Sequence, residues 1–299
     1  MTIRKKIISP NILALSNDHF DETINFISTI TEECVEKDQK IEIILTNVQK
    51  ISAQLMVLLF STISHARLLK NEDYIIVKMP SRYNSPVYLS FYQSGLMDAL
   101  DITTGSKVNG VRHHSFFNAA SCDSEISKTV EKLVSSHILT PDQTILFSAA
   151  LVEAIYNVDE HAYSYGEAKD FADKHGKIWW QCAWTNKEKK QVNLIVHDMG
   201  VGIQGTYKAD KERCNYTSEQ LLHEAMIEGY TSTGKANRGR GSEDIKLPID
   251  NTLEATDQVM VISSNAYYIY TRDTLVPTTG SLKQPIRGTM IHWVLKFSS

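Results

Sequence analysis

The sequence predicts an α/β protein in two domains: a small α/β domain over residues 1–105 and a two-layer α/β sandwich, α+β in its element order, over residues 124–299. A linker is expected at 106–123. Three observations carry this reading. Between Ile41 and Leu100, runs of strand period and helix period alternate, as in a small α/β unit. From Ser124 onward, helical periods come first and strand-like runs follow. Between them, Thr103 to Ser121 is polar and contains Gly105 and Gly110. A length of 299 residues suits two domains.

In the first domain, Ile41 to Val48 reads as a buried strand, because five of its eight residues are Ile, Leu or Val around a short polar break. Residues 53–69 carry apolar side chains at helical spacing, Asp73 to Met79 reads as a second strand, and Pro86 to Leu100 as helical. In the second domain, Ile126, Val130, Leu133 and Val134 mark one amphipathic helix. Thr140-Pro141 is a helix start signal, and the helix it opens runs through Phe147, Leu151 and Ile155. Lys177 to Trp184 and Gln191 to His197 read as paired strands, Gln258 to Ser264 and Met290 to Phe297 as two more, and Glu243 to Ile249 as a helix.

The composition, 42% hydrophobic and 22% charged, is that of an ordinary globular chain. A net charge of −4 gives no global drive toward nucleic acid or an anionic membrane. Cys34, Cys122, Cys182 and Cys214 form no C-x-x-C pair, which fits reduced thiols better than a disulfide framework or a zinc site. The first ten residues are too short in apolar content for a signal-peptide core, and the longest apolar run, Leu55 to Phe60, falls far short of the ~20 residues that span a bilayer. A soluble, cytoplasmic protein is expected, without nucleic acid or membrane as partner.

Four segments carry chemistry. Glu153 and Asn157 stand one helical turn apart, so they share a face, and His161-Ala162 follows one turn later. Asp198 closes an apolar strand and is followed by Met199-Gly200-Val201-Gly202; a carboxylate at a buried strand end is costly unless it is paired. Gly229 to Gly241 is basic and rich in glycine, ending in Arg238-Gly239-Arg240-Gly241 ahead of a helix, where backbone N–H groups and arginines can cradle phosphates. Arg287-Gly288-Thr289 opens the last strand. Gly200 to Gly205 also spells G-x-G-x-x-G, but Gly205 leads into a polar segment rather than an apolar helix, so a dinucleotide fold is set aside. No Walker-type phosphate loop occurs. His223-Glu224 lacks the second histidine of a zinc-protease helix, and Trp179-Trp180 with Trp184 fits core or interface rather than a base-stacking platform.

In this order, the four segments resemble the ATP-binding signature of the GHKL superfamily, which includes gyrase, heat-shock chaperone ATPases, histidine kinases and anti-sigma-factor serine kinases. The resemblance covers roughly residues 140–297. It implies a Bergerat-type ATP-binding fold with ATP and Mg²⁺ as cofactors. Within it, Glu153 would activate water or an acceptor hydroxyl, Asn157 would hold Mg²⁺ through its side-chain oxygen, and Asp198 would accept the adenine amino group with support from Thr289. Gly200 and Gly202 would turn the backbone beside the ring. Gly239, Arg240 and Gly241 would belong to the phosphate-binding lid. His161 completes a family variant, or else is a partly buried capping histidine. Ser242 and Asn237 depart from the family pattern, which more often has Leu and Gly there.

Ile41 to Val48, Ile51 to Leu55, Tyr88-Leu89, Gly95-Leu96 and Asp98 resemble, more faintly, a STAS domain, the fold of anti-sigma-factor antagonists. In that alignment Ala53 takes the usual phospho-acceptor position, with Ser52 beside it. A plain α/β docking domain is the alternative.

The resulting expectation is an ATPase or serine/threonine protein kinase of GHKL type, acting in signalling on a protein partner or substrate. No long helix pair with a phospho-acceptor histidine precedes residue 140, which turns the reading away from a histidine kinase. The rival is a nucleotide-gated binding module with little or no turnover. Oligomeric state is left open, a homodimer included.

Overall fold

The structure is a computed structural model that describes residues 3–15, 18–81, 87–100, 117–121, 124–134, 139–186, 188–207, 215–227, 241–252, 256–273 and 276–296. It is a mixed α/β protein. The chain divides into two compact units, the first of residues 1–109 and 114–119, the second of residues 110–113 and 120–299.

The first unit holds a parallel three-stranded sheet in the order β1 (Lys5–Ile8), β3 (Ile41–Ile44), β5 (Ile75–Lys78). A separate two-residue parallel pair joins β2 (Ile12–Leu13) with β4 (Lys50–Ile51). Helix α1 (Phe20–Thr31) packs on α2 (Ala53–Leu69), whose N-terminus is capped by Ser52 accepting from the Leu55 amide at 3.4 Å. The predicted helix over 53–69 coincides with α2. The predicted strand from Ile41 ends earlier, at Ile44, because Thr46-Asn47 turn the chain. Ile75–Lys78 is the strand expected from Asp73, preceded by a 3₁₀ turn over Glu72–Tyr74. The helix expected to Leu100 is two helices, α3 (Tyr88–Gln93) and α4 (Leu96–Leu100). Gly95 separates them at φ +76°, a left-handed conformation that an α-helix cannot continue through.

The expected linker over 106–123 lies mostly outside the described residues, and its described part contains a buried strand, β6 (Phe117–Ala120). The second unit contains α5 (Ser124–Val134), α6 (Pro141–Asn157), α7 (Gly166–His175), β7 (Trp179–Asn186), β8 (Gln191–Asp198), α8 (Gly202–Tyr207), α9 (Ser218–Ala225), α10 (Gly241–Asp250), β9 (Gln258–Ser263), β10 (Ala266–Thr271), β11 (Thr278–Ser281) and β12 (Thr289–Lys296). Within the second unit the strand order is β11-β10-β9-β12-β8-β7, and every pairing is antiparallel.

Thr140 opens α6 with a reciprocal capping box to Gln143 and Pro141 in the first turn, as its sequence signal requires. Helices α6 and α10 pack together and meet β12 at one side chain. Phe147 lies edge-on to Trp293 with ring centres 5.9 Å apart, and Trp293 Nε1 donates to the Ile245 carbonyl at 2.9 Å. Trp179 and Trp180 are buried, so they belong to the core and offer no stacking surface. Among the described residues, no helix is long and apolar enough to cross a membrane.

Candidate functional site

Strand β8 is central in the sheet and buried from Val192 to Asp198, so its final carboxylate is delivered into an apolar setting. Asp198 is only 5% exposed. Its Oδ1 accepts the Gly200 N–H at 2.8 Å, and the Thr289 N–H also acts on it. These are backbone N–H groups, and among the described residues no cationic side chain is paired with Asp198. Burial therefore wins over the hydrogen bonds and pushes the carboxyl up to about 7.

Glycines line this carboxylate because nothing larger fits. Gly288 has φ +76°, and a Cβ there would stand 1.9 Å from the Asp198 carbonyl oxygen and 2.8 Å from Oδ1. A Cβ on Gly200 would meet the Ala162 carbonyl oxygen at 2.1 Å. Gly202, at φ +70°, begins α8 against Ser263 Oγ. Gly205 lies inside α8 rather than opening a helix, and both neighbours of β8 are antiparallel, so the parallel βαβ unit of a dinucleotide fold is absent here.

Two residues that sequence reasoning missed organise the surroundings. Ser263 Oγ accepts the Ile203 N–H at 2.8 Å, lies 3.1 Å from Thr289 Oγ1, and can donate to Gln204 Oε1 at 3.2 Å. Gln204 Nε2 in turn donates to the Ser263 carbonyl at 2.8 Å. Tyr163 is buried; its hydroxyl donates to the Ile178 carbonyl at 2.5 Å and accepts the Met199 N–H at 3.3 Å. Burial, with the charge of Asp198, raises the Tyr163 phenol. Arg287 Nε donates to the Met199 carbonyl at 3.1 Å, and its own carbonyl takes the His197 Nε2 proton at 2.9 Å. A buried serine on one strand and a tyrosine after a helix carry no local motif, so only the partnership in space reveals them.

The second cluster sits on α6. Asn157 Nδ2 donates to Glu153 Oε1 at 3.3 Å, one helical turn away. Burial first, and then the charge of Asp244 on α10, raise the Glu153 carboxyl, while the Asn157 hydrogen bond opposes them. Gly241 begins α10 directly on this carboxylate: a Cβ there would lie 2.0 Å from Glu153 Oε1. Beyond Asn157 the helix continues as a π turn over Val158–Ala162, which holds His161 half-buried with Nε2 3.9 Å from Glu160 Oε2. His161 lies in the last turn of that segment, one residue before its end at Ala162.

The structure thus brings Asp198, Gly200, Gly202 and Thr289 together at one strand end, and Glu153, Asn157 and Gly241 together where α6 meets α10. Gly239, Arg240 and the rest of the segment from Gly229 lie outside the described residues, so only its last glycine is seen. His223 and Glu224 sit on α9, and among the described residues no group of three or more His, Cys, Asp or Glu could hold a metal ion. Comparison with known proteins finds no family model that matches the chain and no curated protein that matches it.

Proposed function

We propose that the chain binds ATP with Mg²⁺ in its antiparallel-sheet unit and serves as an ATPase or serine/threonine protein kinase in regulation. The observation that carries this reading is Asp198, a buried carboxyl with no cationic side chain paired to it among the described residues, flanked by glycines that admit nothing larger than backbone. A buried carboxylate of this kind gains a partner when an exocyclic amino group such as that of adenine donates to it. The resemblance to GHKL proteins, with a Bergerat-type fold, gives the same assignment.

The α6 cluster fits the other end of a nucleotide. Asn157 uses its Nδ2 on Glu153, which leaves its side-chain oxygen as the donor for a hard cation. Bound ATP-Mg²⁺ supplies the phosphoryl group, and the cation offsets the triphosphate charge. Glu153, its carboxyl raised by burial and by the charge of Asp244, is suited to take a proton from water or an acceptor hydroxyl. The first turn of α10 offers N–H groups beside it. The expected partner is a protein that receives the phosphoryl group or reads the nucleotide state, and the first unit, weakly STAS-like, is its docking candidate.

Release of phosphate from ATP, measured together with label transfer to bound protein, tests this reading. Turnover that disappears in Glu153→Gln supports the enzyme. Nucleotide binding without either product favours the binding module.

A further inference from the structure

Helix α9 ends at Ala225, and the carbonyls of Met226 and Ile227 are acceptors left at its C-terminus. Two side chains of α10 take them. Ser242 Oγ donates to the Ile227 carbonyl at 3.2 Å, and Lys246 Nζ donates to the Met226 carbonyl at 3.0 Å. The two residues are one helical turn apart and share a face. Ser242 is buried at 9% exposure, and Lys246 is held over the Tyr270 ring at 5.6 Å. Tyr270 itself donates to Asp250 of the same helix at 2.5 Å. A cation at the C-terminal end of α9 also meets the negative end of that helix dipole. The residue just before Ser242 is Gly241, whose backbone rests on the Glu153 carboxylate.

We infer that Ser242 and Lys246 are positioning residues for Glu153: by fastening the start of α10 to the end of α9, they seat the first turn of α10 on the Glu153 carboxylate. This rests on the reading of Glu153 as the proton acceptor in phosphoryl transfer. It also gives the departure at Ser242 a role, since a leucine in its place has no hydroxyl for the Ile227 carbonyl. Loss of either bond lets the α10 start move away from Glu153, while the adenine end at Asp198, on other elements, is untouched.

The test uses the full chain as parent, Ser242→Ala, Ser242→Thr and Lys246→Met, with two readouts. The first is steady-state phosphate release; the second is amide hydrogen exchange across α10, β8 and β12. Ser242→Ala and Lys246→Met are each expected to lower kcat roughly tenfold, the scale of one hydrogen bond, with the KM for ATP and the thermal shift by ADP unchanged. Exchange should quicken in the first turn of α10 and stay as in the parent in β8 and β12. Ser242→Thr keeps the hydroxyl and should restore both. If both variants keep the parent kcat, the inference is overturned, whether or not exchange quickens. A parent that neither shifts with ATP nor releases phosphate contradicts the proposed function itself, and this inference with it; that failure is seen before any variant is made.

Discussion

The backbone N–H of Val201 donates to the carbonyl of Ala162 at 2.8 Å, and through that bond the turn beside Asp198 is tied to the helix that carries Glu153 and Asn157. Gly200 makes the approach possible. The two halves of the candidate site are therefore one mechanical unit, built from α6, its π-helical extension and the end of β8.

Gly200→Ala should break that unit. The new methyl would stand 2.1 Å from a backbone carbonyl oxygen that cannot swing aside. A destabilisation of about 1–3 kcal/mol is expected, the usual range for overpacking, with the ATP-induced thermal shift lost. Gly288→Ala should cost at least as much, since it adds the strain of φ +76° to a contact at 1.9 Å. Thermal melts with and without nucleotide check both.

Asp198 should cost the free protein stability in return for binding. Its folded-state pKa of about 7 lies above the unfolded value of ~3.9, so the folded state holds the proton more tightly. Stability from this group is complete below ~3.9 and declines until pH passes about 7. Asp198→Asn, without ligand, should therefore melt above the parent at pH 8, with the gap narrowing toward pH 5. At 1.36 kcal/mol per pKa unit, the bound on that gap is roughly 4 kcal/mol. Melts across this range that show no narrowing would count against the buried charge.

Two buried histidines should make the protein sensitive to acid. Burial lowers His197 and His292 to about 4 from an unfolded value of 6.5. A depressed histidine contributes stability that is present above 6.5 and lost as pH falls to about 4. The melting temperature is expected to fall steadily across that window. His292, stacked on Trp184 at 6.3 Å, is the more accessible to substitution, and His292→Gln should flatten the fall. An equally steep fall in the variant would assign the effect to other groups.

Glu153→Gln should separate chemistry from binding. The amide keeps the shape and the contact with Asn157 but can no longer accept a proton from water or a hydroxyl. Phosphate release is expected to fall at least a hundredfold, in line with loss of a general base, while the thermal shift with ATP-Mg²⁺ persists. Parallel loss of both would make Glu153 a binding group only.

Much of the fold is legible from local pattern. The strong period over 53–69 and the Thr140-Pro141 cap locate α2 and α6, and apolar runs locate β3, β8, β9 and β12. Helix α1 escaped notice although Phe20, Ile24, Ile27 and Ile30 all face inward at helical spacing. Helix α7 has only Ala168 and Phe171 buried in a charged stretch, which leaves a weak period to read. Strands β10 and β11 are partly exposed and gain their place by pairing with β9, a non-local cause. The site divides in the same way. Asp198, Gly200, Glu153 and Asn157 stand in recognisable short motifs. The contacts of Ser263 with Ile203 and of Gly288 with Asp198 bridge segments 60 residues or more apart, and no local pattern announces them.

The central claim, that Asp198 reads adenine, is tested most directly by thermal-shift titration of the parent and Asp198→Asn with ATP-Mg²⁺, ADP-Mg²⁺, GTP-Mg²⁺ and NAD. A nucleotide at a hundred times its Kd stabilises by about 2.7 kcal/mol, several degrees for a chain of this size. The expected result is a shift with ATP and ADP in the parent, little with GTP, and its loss in Asp198→Asn. An ATP shift of equal size in the variant, or none in the parent, would contradict the assignment.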